Sequence, residues 1–278
     1  MNLLDQMSRE LGIDKQYIIN CSKRNDLYAK YFIKKKDGGT RTILHPSKEL
    51  KVMQYWLCHN VFTNFPISSY STAYQIGCSV KNNALQHKNG KYILHTDVTH
   101  FFESITRAAM KEFFKNNKDI LNNLELKDSD IDLILDLVLY KGKYLVIGSV
   151  ASPLISNCFM YNFDMDLSKI VHEQNMIYTR YADDIIISSS KHIDYDIIKI
   201  IDSLLKQYQL QRNKEKTYFM NKYRKRQVTG IIIDNNNNTL SLGYEKYTEL
   251  KRNIYSYLIK GTGNIAECTD PQKLDQKI

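Results

Sequence analysis

The chain has 278 residues, 43% of them hydrophobic, enough to bury a sizeable core as one large or two modest domains. Against 30 acidic side chains stand 39 basic ones, a formal net charge of +9, which suits a polyanionic partner as well as a solvated basic face. Five cysteines without C-x-x-C spacing, no basic-then-apolar leader and no run of 18 apolar residues argue against a zinc site, a disulfide framework, secretion and membrane spanning, so a soluble cytoplasmic protein is expected.

Leu3, Leu4, Met7 and Leu11 share one face of a first helix, and Asp14 caps a second that runs to about Lys23. Residues 31–36 and 40–44 read as a β-hairpin around Asp37-Gly38-Gly39. Leu50, Met53, Leu57 and Val61 mark a longer helix opened by Pro46-Ser47. The apolar run 92–97 predicts a strand, followed by helices near 106–117 and 129–140. One further helix is expected from Ser152 to about Val171, with Pro153 in its first turn, where a missing N–H is harmless. Residues 176–181 and 185–187 predict a second hairpin, and Ile197, Ile201, Leu204, Leu205 and Tyr208 the core face of another helix. The asparagine run 235–238 reads as a turn between strands 227–234 and 239–242. A last helix over 244–260 carries Tyr247, Leu250, Ile254, Tyr257 and Leu258 on one side, with Gly261 as its stop. Few strands, several helices and an antiparallel centre make this an α+β chain.

The chemistry concentrates in Tyr181-Ala182-Asp183-Asp184, where the turn of the second hairpin carries two adjacent carboxylates. A third, Asp97, ends the strand 86 residues earlier (183 − 97). On neighbouring strands, Asp97 and Asp183 make an open oxygen site for two Mg²⁺ ions, the equipment of nucleotidyl transfer. Three solvated turn aspartates are the plain alternative. The segment 206–226 adds Lys206, Arg212, Lys214, Lys216, Lys222, Arg224, Lys225 and Arg226 against Glu215 alone, a density that points to nucleic acid.

Taken in order from about residue 28 to residue 260, these segments resemble a reverse transcriptase, and more narrowly a bacterial retron reverse transcriptase. Thr96-Asp97-Val98-Thr99-His100-Phe101-Phe102 is similar to the family's first palm motif, and Tyr181–Asp184 to its Y-A-D-D signature. Gly148-Ser149-Val150-Ala151-Ser152-Pro153 with Asn157 resembles the glycine loop and helix under the templating base. Lys216-Thr217, after Leu210 and Asn213, resembles the lysine motif. Asn83-Ala84-Leu85-Gln86-His87 and Val228-Thr229-Gly230 resemble the retron N-A-x-x-H and V-T-G elements. The resemblance implies a right-hand polymerase. N-terminal helices and fingers fill 1–92, the first palm motif 93–105, and fingers and palm helices 106–145. The palm follows at 146–233 and a short or truncated thumb at 234–278.

It also implies roles. Asp97 and Asp183 bind metal, with the main-chain carbonyl of Val98 as a further oxygen and Asp184 as catalytic support. Phe102 is a steric gate against a ribose 2′-OH, or else a core phenylalanine, although Phe101 is the better core candidate. Lys35 and Arg41 reach the incoming triphosphate from the hairpin, with Lys34 and Lys36 able to exchange roles with Lys35. Arg41 is able to grip phosphate bidentately. Gly148 lies at the nucleotide, Lys216 meets the departing pyrophosphate or merely joins the basic patch, and Tyr181 lies by the primer. Asn83 and His87, four apart and on one face of a helix, contact RNA or are structural. Arg224, Lys225 and Arg226 hold RNA phosphates beside Val228, Thr229 and Gly230.

Two departures from the family stand out. Ile147 and Val150 occupy positions where Gln and Pro are usual, which removes a hydrogen-bonding group from the nucleotide site. After one thumb helix the chain ends in a polar tail at 267–278, as expected of a short thumb, a truncation, or a grip completed by a partner. No RNase H segment follows, so template removal falls to another protein. The expected partners are a cognate structured non-coding RNA, its single-stranded DNA product, deoxynucleoside triphosphates and a separate effector of anti-phage defence. Priming is expected from a guanosine 2′-OH. A group II intron-like or other defence-associated reverse transcriptase, and an RNA-binding scaffold with a vestigial site, are the rivals.

Overall fold

The computed structural model describes residues 2–34 and 38–260, without the side chains of residues 256 and 258–260. The chain opens with α1 (Leu3–Leu11) and α2 (Lys15–Lys23), started by Asn2 and Asp14, whose side chains accept the Asp5 and Tyr17 N–H groups. β1 (Tyr28–Lys34) and β2 (Thr40–Pro46) pair antiparallel as a projecting, largely exposed hairpin. This hairpin starts three residues earlier than its sequence suggests (31 against 28), and residues 35–37 of its tip lie outside the described residues. Ser47 caps α3 (Lys48–Asn60), which buries Leu50, Met53, Trp56 and Leu57. A strap then leads to α4 (Val80–Gln86), capped by Ser79.

The centre is a four-stranded antiparallel sheet. β3 (Tyr92–Val98) is followed by α5 (Phe101–Ser104), α6 (Arg107–Asn116), α7 (Lys118–Asn123), α8 (Asp128–Val138), α9 (Ser152–Phe159) and α10 (Tyr161–Glu173). β4 (Ile177–Tyr181) and β5 (Asp184–Ser189) form the hairpin, and α11 (Asp196–Gln207) leads to β6 (Arg212–Asn221). The spatial order is β4-β5-β3-β6. Strand alternation sorts β3 into two faces. Leu94 and Val98 join the large core shared with the helices, whereas Ile93 joins a smaller core with Ala84, Ile186, Met220 and Val228. His95 and Asp97 share the face of Ile93, so the carboxylate is carried on the side away from the main helical core. The end of the chain adds β7 (Arg226–Val228), β8 (Ile231–Ile233) and β9 (Leu240–Ser241), then α12 (Tyr244–Lys260).

Three differences from the sequence reading have local causes. The helix expected over 152–171 is two helices, α9 and α10, kinked at Met160 (ψ 2°). The bonds Met160 N–H to Ser156 O and Asp164 N–H to Met160 O persist across the kink, while α9 packs on the 62–64 turn and α10 on β4. The expected strand 227–234 folds back on itself as β7 and β8. Thr229 and Gly230 both take positive φ (46° and 83°), the conformation of a two-residue hairpin turn. β6 went unread because its exposed lysines and glutamate hide the period; Met220 is its buried anchor. The stripe of α12 is exposed at Tyr247, Leu250 and Ile254; its expected stop, Gly261, and the tail beyond lie outside the described residues. Among the described residues no helix is long and apolar enough to cross a membrane.

Candidate active site

The register of β3 on β5 sets Asp97 opposite Asp184, and that of β4 on β5 pairs Tyr181 with Asp184. Only Ala182 and Asp183 are left for the turn. Ala182 takes φ +56°, and the Val98 N–H donates to the Asp183 carbonyl at 3.0 Å. The three carboxylates are thereby gathered at one end of the sheet. Burial, then the charges of Asp184 and Asp97, push the Asp183 carboxyl up to about 6. Lys216 reaches in from β6, its Nζ donating to Asp97 Oδ2 at 2.8 Å; that bond foremost raises the lysine above its ordinary value.

On the other side His95 Nε2 lies 3.0 Å from Asp184 Oδ1. Burial opposes a charge on this imidazole, but the bond to Asp184, the charges of Asp184 and Asp97 and the Lys216 carbonyl together outweigh it, and the pKa is raised. The ring stacks on Tyr218 at 4.8 Å between centroids. Asp184 is thus engaged sideways, while Asp183 is crowded by negative charge. That crowding, and an all-oxygen donor pair in Asp97 and Asp183, fit a hard divalent cation. Among the described residues no group of three or more acidic, histidine or cysteine side chains is placed to hold a metal ion, so the fit rests on the Asp97 and Asp183 pair.

Beneath the turn lies a support that sequence reasoning missed. Arg180 and Asp164 have no exposed side-chain surface and pair through two 2.8 Å bonds. The Tyr178 hydroxyl donates to the same carboxylate at 2.7 Å. Arg180 Nη1 donates to the Ala182 carbonyl at 3.0 Å, inside the turn that carries the two aspartates. Asn157 Oδ1 accepts from Ser71 Oγ, and its Nδ2 donates to the Ala73 carbonyl, tying α9 to the strap. The strap runs parallel beside β4, with Ser71 bridged to Arg180. Tyr74, half exposed at φ +60°, lies near enough for the charge of Asp183, after burial, to raise its hydroxyl pKa. The available signal was an arginine inside an apolar strand, since a buried charge requires a partner.

On the hairpin, Arg41 is exposed in β2; Lys35 lies outside the described residues. Gly148 (φ +103°) brings its loop against β2: a Cβ there would meet Ile43 Cγ2 at 2.6 Å and the Leu44 carbonyl oxygen at 2.7 Å. The Leu44 N–H donates to the Ile147 carbonyl at 2.8 Å. Phe101 is core, whereas Phe102 is only partly buried, its ring 5.5 Å from that of Phe101.

Several expected RNA contacts require correction. Asn83 and His87 are fully buried. His87 bonds the Ser188 and Thr179 hydroxyls, both at 2.7 Å, and Asn83 Oδ1 accepts from Thr179 at 2.6 Å. Burial drives the His87 pKa down to about 3, so the ring is neutral and knits α4 to β4 and β5. Arg226 is also buried. It donates to the Lys88, Gly90 and Asp234 carbonyls and to Asn235 and Asn238, and so pins the base of β7 rather than presenting charge to RNA. Val228 is core, while Arg224 and Lys225 are exposed and Thr229 and Gly230 half-exposed.

The family described as reverse transcriptase (RNA-dependent DNA polymerase) matches residues 33–233. The Retron Ec73 reverse transcriptase of Escherichia coli is 36% identical over 167 residues, 58% of this chain and 53% of that protein. The Retron Ec86 reverse transcriptase of the same species is 29% identical over 261 residues, 92% of this chain and 78% of that protein. Among solved structures, apo telomerase from Candida tropicalis aligns with a TM-score of 0.49 at 14% identity, over 77% of this chain and 48% of that one. Telomerase from Candida albicans with a fragment of telomeric RNA gives 0.49 at 12% identity, over 85% and 50%. The chain therefore spans about half the length of the Ec73 protein and of these telomerase chains.

Proposed function

The chain belongs to the reverse transcriptase family, the RNA-dependent DNA polymerases, and is of the retron type; from that premise we propose that it copies part of a cognate structured non-coding RNA into single-stranded DNA. Its α+β fold is that of a right-hand polymerase. The observation that carries the reading is the register that sets Asp97 against Asp184 with Lys216 on Asp97.

In the proposed reaction a primer hydroxyl attacks the α-phosphorus of a deoxynucleoside triphosphate, and pyrophosphate leaves. Asp97 and Asp183, with the Val98 carbonyl, would hold two Mg²⁺ ions, which when bound would supply Lewis-acid stabilisation of the developing charge. Asp183, deprotonated above about pH 6, presents the charge such a site needs. Asp184 stays anchored to His95 and adds negative potential without leaving its partner. Lys216 Nζ carries a proton 2.8 Å from Asp97 Oδ2 and is the cation that meets the pyrophosphate. Arg41, with Lys35, takes the triphosphate. Phe102 fills the space of a ribose 2′-OH, Tyr181 borders the primer, and Arg224 and Lys225 hold RNA phosphates.

Priming starts from a guanosine 2′-OH within the RNA and leaves a branched RNA–DNA product, and the complex serves anti-phage defence with a separate effector in the cytoplasm. The test is the nucleic acid that co-purifies with the protein from its own host, treated with RNase, DNase and a 2′,5′-debranching enzyme. A discrete DNA joined to RNA, absent from the Asp183→Asn/Asp184→Asn variant, is expected. RNA without attached DNA in the unaltered protein would overturn the reading.

A further inference from the structure

Beside the carboxylates lies a pocket of about 280 Å³ in which Tyr181, Asp184 and His95 have the roles given above, but Tyr218, Gln227 and the Thr229 turn have none. Its walls come from His95 of β3, Tyr181, Asp184, Tyr218 of β6, Gln227 of β7 and the Thr229 turn. Asp97 and Asp183 do not line it, so it adjoins the reacting centre without containing it. One wall is the stacked pair of His95 and Tyr218, whose planes lie within 20° of each other; Tyr218 remains 46% exposed. The hydroxyls of Tyr181 and Tyr218 and the amide of Gln227 have no hydrogen-bond partner among the described residues. No lysine or arginine lines the pocket. His95 is paired with Asp184, and Lys246 at the rim donates to the Gly230 carbonyl, so an aromatic face with free hydroxyl and amide groups and no unpaired cation suits a nucleobase and its ribose rather than a phosphate.

Priming from an internal 2′-OH creates a ligand of that kind. A linear primer ends at its reacting 3′-OH. A guanosine that reacts through its 2′-OH keeps its 3′-phosphodiester, so one more RNA residue follows it. The incoming nucleotide occupies the template position which that residue would otherwise pair with. The residue is therefore extruded from the duplex with an unstacked base, directly beside the carboxylates. Residues on the 5′ side stay paired and stacked and need no pocket.

We propose that the pocket bounded by Tyr218, Gln227 and Thr229 receives the nucleoside of the RNA residue that follows the branch nucleotide, an assignment that rests on the branched-priming reading above. Tyr218 covers the extruded base and Gln227 bonds its edge or its ribose. The Thr229–Gly230 turn closes one side of the pocket.

Two synthetic substrates on one RNA template separate the possibilities. One carries an RNA primer ending in guanosine with a free 3′-OH. The other carries the same guanosine followed by a single 2-aminopurine riboside, which leaves only the 2′-OH at the template junction. With the full chain, quenching of the 2-aminopurine on binding is expected, with relief in Tyr218→Leu. The ratio of 2′-OH to 3′-OH extension is expected to fall at least tenfold in both Gln227→Leu and Tyr218→Leu. Equal losses on both substrates would assign the pocket to the ordinary primer strand, and no quenching with an unchanged ratio would empty it; either result overturns the proposal. A wild-type protein that extends the 3′-OH but never the 2′-OH sinks the branched-priming reading itself, and the pocket assignment with it.

Discussion

Removing the carboxylate of Asp164 isolates a guanidinium that has no route to water. Arg180 and Asp164 are both without exposed side-chain surface, and their two 2.8 Å bonds are the pair's compensation for leaving water. Taking away one partner of such a pair costs about 3–5 kcal/mol. For a chain of this size each kcal/mol moves the melting temperature by about 2–4 °C, so Asp164→Ala is expected to lower it by roughly 6–20 °C. The double variant Asp164→Leu/Arg180→Met removes both charges and restores most of that loss, since an apolar pair of similar volume is often neutral or better.

Polymerase activity does not return with it. Arg180 Nη1 also holds the Ala182 carbonyl, and Ala182 is in a left-handed conformation that disfavours a side chain by about 1–2 kcal/mol. Without that bond the turn relaxes, Asp183 moves from Asp97, and turnover falls by about ten- to a hundredfold, or about 1.4–2.8 kcal/mol. Adding Ala182→Gly, which takes φ +56° without a Cβ penalty, recovers part of the rate. Calorimetry and primer extension on the four proteins read both quantities. A loss below about 1 kcal/mol in Asp164→Ala, measured against the range for buried pairs, or full activity in the charge-free double variant, would refute the reasoning.

Gly148→Ala forces a Cβ to within 2.6 Å of Ile43; the loop and β2 must separate, and steady-state kinetics should show a raised KM for nucleotide with a smaller change in turnover. The proton on Asp183 competes with a divalent cation. Its folded pKa near 6 lies above the ordinary 3.8, so this group destabilises the folded chain progressively from about pH 4 to about pH 6 and by a constant amount above. Thermal stabilisation by Mg²⁺ is therefore expected to be weak at pH 5 and full by about pH 7, and Asp183→Asn should flatten that profile. His87→Ala strands the Ser188 hydroxyl and leaves Thr179 only its bond to Asn83, and should cost about 1–3 kcal/mol, read by denaturant unfolding, while the RNA affinity of the folded fraction stays within twofold. A selective loss of RNA binding there would restore His87 to an RNA contact.

The sequence by itself located most of the elements and marked the turn that carries two adjacent carboxylates. Apolar periodicity located the first helices and three of the four central strands, Asp14 and Ser47 marked helix starts, and two adjacent aspartates between apolar runs marked the hairpin that carries them. Those features are legible because their causes lie within a few residues. Tertiary structure alone decided which polar side chains face a substrate. Asn83, His87 and Arg226 read as nucleic-acid contacts but are buried among partners up to 146 positions away. The support of the Ala182 carbonyl depends on Asp164, 16 positions before Arg180, and Lys216 meets Asp97 across 119. A side chain's composition states what bonds it can make. Which of them it makes is set by what the folded chain places against it, because desolvation obliges a buried polar group to spend its bonds inside the protein.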